Sequence, residues 1–428
     1  MATDLWSVDL HSHTLFSDGS LTPTQLVQLA SANGVRALSV TDHDHSGGID
    51  EALEVGGTLG VEIIPGIELS VSYAECEDIH LLAYYFAWHD ADLQARLECF
   101  RVARETRAER ILERINAKLV GEGHAPIAYE TVKAQVQGAF GRPHIATALI
   151  ERRYVPDMNS AFKEYLIPCN VPKYYMPAEE AIALVRRARG LSAVAHPRYI
   201  SEDRVRLRRI IQELRAMGLD GVEAYHSDHG TEERLYFIRL ANQLNMLITG
   251  GSDYHGFKSK TAPSDNGGKL GSLQLPYSFA VRLRRAYLQN YPLVLLLLQW
   301  PPAAAAALRR AFASHYQLSS VGCTSAAEFI ANLIRTGPES GSLVVDQATG
   351  ESEASESIAA QVGARGWRIV VVPWEPAGAP QHTDWASTPS VSAGRYRRTS
   401  VERLAHELVH EAILAQLPRA SGARHVMP

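Results

Sequence analysis

Residues 37–44 read Ala-Leu-Ser-Val-Thr-Asp-His-Asp: a short run suited to a buried strand, followed at once by a hydroxyl, two carboxylates and an imidazole. Six other segments repeat the theme: WSVDLHSH (6–13), EIIPGIELS (62–70), DIHLLAYY (78–85), LSAVAHP (191–197), GVEAYHS (221–227) and LITGGSDYH (247–255). Helical stretches separate most of them, which is the pattern of βα units around a parallel sheet. In nearly all of them the apolar part comes first and the reactive residues follow, so a barrel would deliver those residues to one mouth. The exception is 78–85, where His80 comes early. A seven-stranded α/β barrel is therefore expected, with an open doubly wound sheet as the competing architecture.

The 428 residues leave room for more than one barrel of roughly 250 residues. The barrel is assigned to 6–91 and 189–275, and the helix-rich stretch 92–188 to an insertion that caps the substrate. A small α/β domain is expected over 285–428. Its strands are read in PLVLLLLQW, GSLVVD and RIVVVPW, with a mostly helical stretch at 303–335, a Pro/Ser/Thr-rich connector at 375–392 and a closing helix at 400–417. Within the insertion, RVARETRAERILERINAKLV (101–120) alternates Glu and Arg, the usual signature of a solvated helix face. A hydrophobic content of 46% with 21% charged residues is that of a globular chain. The net charge of -5 provides no general attraction to nucleic acid or anionic lipid, so a phosphorylated ligand needs a local pocket. Cys76, Cys99, Cys169 and Cys323 lack CxxC spacing and suggest neither a disulfide framework nor a zinc cluster. The apolar run 293–298 is far short of the roughly 20 residues of a membrane helix. With no secretory signal in MATDLWSVDLHSH, a cytoplasmic location without membrane engagement is expected.

In a strand the side chains of residues two apart share a face, so His11 and His13 can bind one cation, and Asp18 follows closely. Other strand ends supply His43, Glu68, His80, His196, Asp253 and His255. Singly, each suits an ordinary structural role. Together at one mouth they would bury uncompensated charge unless cations were present. The ordered motifs HxH, TDHD, GxE, a lone His, AHP and GSDYH resemble those of the PHP (polymerase and histidinol phosphatase) family over residues 6 to 275. The resemblance implies a distorted (β/α)7 barrel. It also implies that His11, His13, Glu68 and Asp253 hold one metal, that Glu68, His80 and His196 hold a second, and that Asp18, His43 and His255 hold a third. Imidazole and carboxylate without thiolate suit two or three divalent ions, manganese first, with iron or zinc as alternatives. Two cations bridged by Glu68 would lower the pKa of a shared water, giving a hydroxide to attack phosphorus. His45, His226 and His229 are candidates for the protonated group that assists the leaving oxygen, or for an orienting role.

Arg142 and His144 in GRPH, Lys173 in NVPKYYM, Arg198 after AHP, and His226 are the candidate substrate contacts, the cations being suited to a second phosphate. This resembles the PHP subgroup that acts on nucleoside 3',5'-bisphosphates and on the 5' ends of short RNA. The expected activity is hydrolysis of a small nucleotide's phosphate monoester, preferably a nucleoside 3',5'-bisphosphate. Alternatives are a 5'-3' exonuclease, a histidinol-phosphate-type phosphatase and a non-catalytic nucleotide sensor. One motif stands apart: His406-Glu407-Leu408-Val409-His410 matches HExxH on a predicted helix. Only 18 residues follow it and, beyond the adjacent Glu411, they offer no Glu ligand, so it reads as an amphipathic helix with Leu404, Leu408 and Leu414 inward.

Overall fold

Each of the seven apolar runs becomes a strand of one sheet. The computed structural model describes residues 7–134, 141–256, 269–291, 293–298, 302–316, 319–323, 343–347, 368–373 and 401–417. The strands are β1 (Ser7–Asp9), β2 (Val35–Val40), β3 (Glu62–Tyr73), β4 (Cys76–Tyr84), β5 (Met176–Pro177), β6 (Leu191–Val194), β7 (Gly221–His226), β8 (Leu247–Gly251) and β9 (Leu275–Pro276). They lie in the order β8-β7-β6-β4-β3-β2-β1-β9, with the short β5 beside β3. The sheet closes between β8 and β1, the last strand before the short β9, because the Leu10 amide donates to the Gly250 carbonyl at 3.2 Å and the Asp253 amide to the His11 carbonyl at 2.9 Å. Gly251 permits that approach: a Cβ there would lie 2.3 Å from the His11 nitrogen. The sheet is thus nearly closed and barrel-like, not open and doubly wound.

One strand departs from the parallel pattern. β4 runs antiparallel to both β3 and β6, being the return arm of a hairpin that turns at Ala74, where φ is 50°. The start of β4 therefore lies at the mouth where the other strands end, which explains why His80 comes early in its segment.

Outside the sheet, α1 (Pro23–Ala32) and α2 (Ile49–Leu59) cover β2 and β3. α1 begins with a capping box in which Thr22 and Gln25 satisfy each other's backbone amides. Leu26, Val27 and Ala30 then face Leu38, Val40 and Ile63 in a shared apolar cluster. Between β4 and β5 come α3 (Ala91–Gly121), α4 (Tyr129–Lys133), α5 (Arg142–Glu151) and α6 (Met158–Ala161), which runs into a π-helical turn, Phe162–Leu166. These helices have an apolar core of their own around Ile111, Ile115, Leu119, Ile145, Leu149 and Leu166. α7 (Ala178–Arg187) then packs on β3 and β6, and α8 (Arg204–Met217) and α9 (Thr231–Gln243) complete the ring.

The chain divides into two compact units, Met1–Tyr277 and Ser278–Pro428. In the second, α10 (Ser278–Asn290), β10 (Leu293–Leu298), α11 (Pro302–Tyr316), β11 (Ser319–Cys323), β12 (Leu343–Gln347), β13 (Arg368–Pro373) and α12 (Val401–Gln416) are described. Its four strands are parallel, in the order β11-β12-β10-β13. Helix was expected to continue through 303–335, but it stops at Tyr316 and Ser319–Cys323 is a strand, too short and small-residued to stand out in the sequence. The connector 375–392 and the side chain of Leu404 lie outside the described residues. Leu408 and Leu414 are buried, as is His406, whose Nδ1 lies 2.8 Å from the Tyr316 hydroxyl. No helix among the described residues is long and apolar enough to cross a membrane.

Candidate metal centre

All nine candidate ligands converge at the mouth around Glu68, which is fully buried in β3. Its two carboxylate oxygens face different rings. Oε2 lies 3.2 Å from His11 Nε2, 3.2 Å from His13 Nε2 and 3.1 Å from His43 Nδ1. Oε1 lies 3.0 Å from His80 Nδ1 and 3.0 Å from His196 Nε2. Asp253 closes the first side, with Oδ1 3.2 Å from His11 Nε2 and 3.0 Å from His13 Nε2. On the outer edge, Asp18 lies 3.2 Å from His255 Nε2, 3.7 Å from His43 Nε2 and 3.8 Å from His13 Nδ1.

Among the described residues, these atoms form three overlapping groups with ligand spacing: His11, His13, Glu68 and Asp253; His43, Glu68 and His80; and His13, Asp18, His43 and His255. The first coincides with a set implied by the family resemblance. The others show that His13 and His43 each stand between two groups, while His196 joins through Glu68 and lies 3.3 Å from His80 Nδ1.

Divalent cations fit this arrangement on two grounds. His11 Nε2, His13 Nε2, His43 Nδ1, Glu68 Oε2 and Asp253 Oδ1 are buried and form no hydrogen bond, although they point at one another. Such groups are costly to bury unless something binds them. The donors are also all nitrogen and oxygen, which suits borderline and hard cations.

The charge balance agrees. Burial opposes ionisation of Glu68, yet His43, His11 and His80 hold its carboxyl well below the usual range. Burial likewise opposes charging of the rings, but Asp253 and Glu68 push His13 up to about 10, and Glu68 and Asp78 push His80 up to about 9. The carboxylates thus recruit protons to His13 and His80, whereas burial holds His43 well below the usual imidazole range, and a cation bound at the raised rings would displace their protons.

A second circle of carboxylates aims the ligands: Asp42 and Asp44, noted in the sequence within TDHD but given no role there, and Glu223, not singled out there. Glu223 in β7 is fully buried. It accepts from His11 Nδ1 at 2.9 Å and from the His196 amide at 2.7 Å, which turns His11 Nε2 inward. Asp42 accepts from the Thr14 amide at 2.7 Å and the Ser17 hydroxyl at 2.7 Å, fixing the loop that carries Asp18. Asp44 accepts from the Ser70 amide at 2.7 Å and from Arg104 of α3 at 2.9 Å. Glu223 had a signal in the sequence: an acid between Val222 and Ala224 in a strand buried on both faces. Backbone strain also gathers here, with φ of 25° at His196, 54° at Asp253 and 53° at Asp44, values uncommon for non-glycine residues.

The candidate substrate residues differ in how they connect to the centre. His226 touches the centre, its Nε2 3.3 Å from Asp253 Oδ2. Lys173 lies one residue away from His80, through Asp78 at 3.0 Å. Arg142 starts α5 with its guanidinium over the Phe162 ring, close enough to Arg107 to depress that group electrostatically after burial has done so. His144 Nδ1 accepts from the Gly141 amide at 3.1 Å, a helix-capping contact. Arg198 is on the rim, donating to the Asp228 carbonyl at 2.8 Å and lying 3.3 Å from Glu233. Of the candidate proton donors, His229 is buried with Nδ1 donating to the Ala224 carbonyl at 3.0 Å. His45 packs on Phe16, and its Nδ1 accepts from the Gly47 amide at 3.0 Å.

Residues 9–159 match the PHP domain family. A 5'-3' exoribonuclease of Haemophilus influenzae is 32% identical over 250 residues, which is 58% of this chain and 89% of that protein. A 3',5'-nucleoside bisphosphate phosphatase of Chromobacterium violaceum is 29% identical over 269 residues, covering 62% of this chain and 90% of that protein. A phosphoribosyl 1,2-cyclic phosphate 1,2-diphosphodiesterase of Eggerthella lenta is 30% identical over 256 residues, 58% and 94% of the respective lengths. Among solved structures, one described as a metal-dependent phosphoesterase from Bifidobacterium adolescentis superposes with a TM-score of 0.56 at 28% identity, covering 66% of this chain and 96% of that one.

Proposed function

The chain belongs to the PHP domain family of metal-dependent phosphoesterases, and from that premise we propose that it hydrolyses the phosphate monoester of a small nucleotide, with a nucleoside 3',5'-bisphosphate as the preferred substrate. The observation that carries this reading is the division of Glu68 between two sets of ligand atoms, with Lys173 reaching His80 through Asp78. Bound at His11, His13, Glu68, Asp253, His80, His196, Asp18, His43 and His255, two or three divalent cations, manganese first, would activate water and neutralise charge on the phosphoryl group. Glu68 stays ionised and bridges the inner sets. Glu223 holds the proton of His11 at Nδ1, leaving Nε2 free to bind. The Asp228 amide donates to His226 Nδ1 at 3.2 Å, which places the proton of that ring on Nε2, facing Asp253. His226 can therefore orient Asp253 or donate toward a leaving oxygen.

Arg142 and Lys173 would hold the phosphate that is not cleaved, with Arg198 guiding from the rim. A 5'-3' exonuclease acting on short RNA is the second reading, favoured by the similarity to the Haemophilus influenzae protein, and it uses the same terminal phosphate. A cytoplasmic location is part of the proposal, as is a small α/β domain following the barrel. Phosphate release from mononucleotides, compared with shortening of end-labelled RNA, distinguishes the two readings. Turnover of neither by the manganese-loaded protein overturns both.

A further inference from the structure

His80 meets the centre through Nδ1, and its other nitrogen, Nε2, lies 3.3 Å from Asp78 Oδ1. This reverses the arrangement at His11, where Glu223 takes Nδ1 and Nε2 faces inward. A ring that binds through Nδ1 must carry its proton on Nε2, and a carboxylate there fixes both tautomer and orientation. Unlike Glu223, Asp78 sits on the exposed arm of the β3–β4 hairpin, with 59% of its side chain accessible. Its backbone nevertheless has φ of 63°, and three partners converge on its carboxylate. Besides His80 these are Lys173 Nζ, at 3.0 Å, and Tyr175, whose hydroxyl is pushed up to about 12 by burial and by Asp78. Lys173 and Tyr175 arrive from the far end of the helical insertion, 95 residues away in the case of Lys173.

We propose that Asp78 is a positioning residue that couples the two halves of the site: it orients His80 for metal binding and holds Lys173 in reserve for an incoming phosphate. The metal half stands on geometry alone, whereas the anion half rests on the proposed function. A phosphate bound at Lys173 competes with Asp78 for the same ammonium, so the two effects of this carboxylate have opposite signs. It strengthens metal binding and weakens anion binding.

Asp78→Asn tests this in the full chain, because asparagine tolerates the left-handed backbone and removes only the charge. Manganese titrated without substrate should bind the site that includes His80 about 10- to 100-fold less tightly than in the wild type. At saturating manganese, inorganic phosphate should bind more tightly than to the wild type. A residue with only a structural role would weaken both ligands together, and that result, or unchanged manganese affinity, overturns the proposal. Asp78→Glu should recover part of the manganese affinity. Lys173→Met provides a second arm if Asp78→Asn does not fold: manganese affinity should be retained while phosphate binding weakens, and a manganese loss in this variant counts against the coupling. The manganese titrations involve no turnover, so they decide the role of Asp78 even if the wild type cleaves no phosphate ester.

Discussion

At the scale of single residues, the centre depends on where each ring keeps its proton. Glu223 makes no expected contact with substrate and yet sets His11 and the His196 backbone at once. Glu223→Gln should lower manganese affinity about 10- to 100-fold, measured by titration, with the fold retained by circular dichroism. Unchanged affinity would mean that His11 needs no partner. Glu68→Gln is predicted to be more severe, since one change removes the charge shared by five imidazoles. Metal content of the purified protein should fall toward zero and activity with it. The nine candidate ligands could be singled out from sequence because most follow the apolar part of a predicted strand in a fixed order; Glu68 and His80 lie within β3 and β4, and Asp18 in the loop after β1. Glu223 and Asp78 could not be assigned, because their importance lies in which ring they face, and those partners are 212 and two residues away, respectively.

The elements show where a pattern carries information and where it does not. Short apolar runs alternating with helical stretches revealed the seven strands, but such runs carry no direction. The reversal of β4 hinges on a turn at Ala74 and Glu75, without the Gly or Asn that marks tight hairpins. The charged face of α3 hides a similar ambiguity. Arg101 pairs with Glu98 and Glu105 on the exposed face, as the alternation suggests. Arg104 and Arg107 instead turn toward Asp44 and toward the Val171 carbonyl, and spacing alone cannot separate them from their neighbours. Helices on the outer ring hold the strands that present the ligands, so their packing can be tested directly. Leu26 of α1 is fully buried, and Leu26→Ala should destabilise the protein by about 2–5 kcal/mol in urea unfolding. A cost well below that would show that α1 is not part of the barrel's cooperative core.

For the whole molecule, the barrel with its mouth of imidazoles and carboxylates accounts for the metal-dependent phosphoesterase chemistry. The similarity to proteins acting on bisphosphate nucleotides, RNA ends and a cyclic ribosyl phosphate narrows the substrate to a phosphate ester. The HExxH segment belongs to the second unit, and no ligand-spaced group among the described residues includes His406 or His410. Chelation should lower the melting temperature, because ligands that bind only the folded state stabilise it. Readdition of manganese should restore both stability and turnover.

The most direct test is phosphate release from a nucleoside 3',5'-bisphosphate by the manganese-loaded full chain, run beside Asp253→Ala. The prediction is steady release by the wild type and none by the variant. Equal release by both would contradict the assignment of the catalytic centre, and none by a wild type that retains its manganese would overturn the bisphosphate as its substrate.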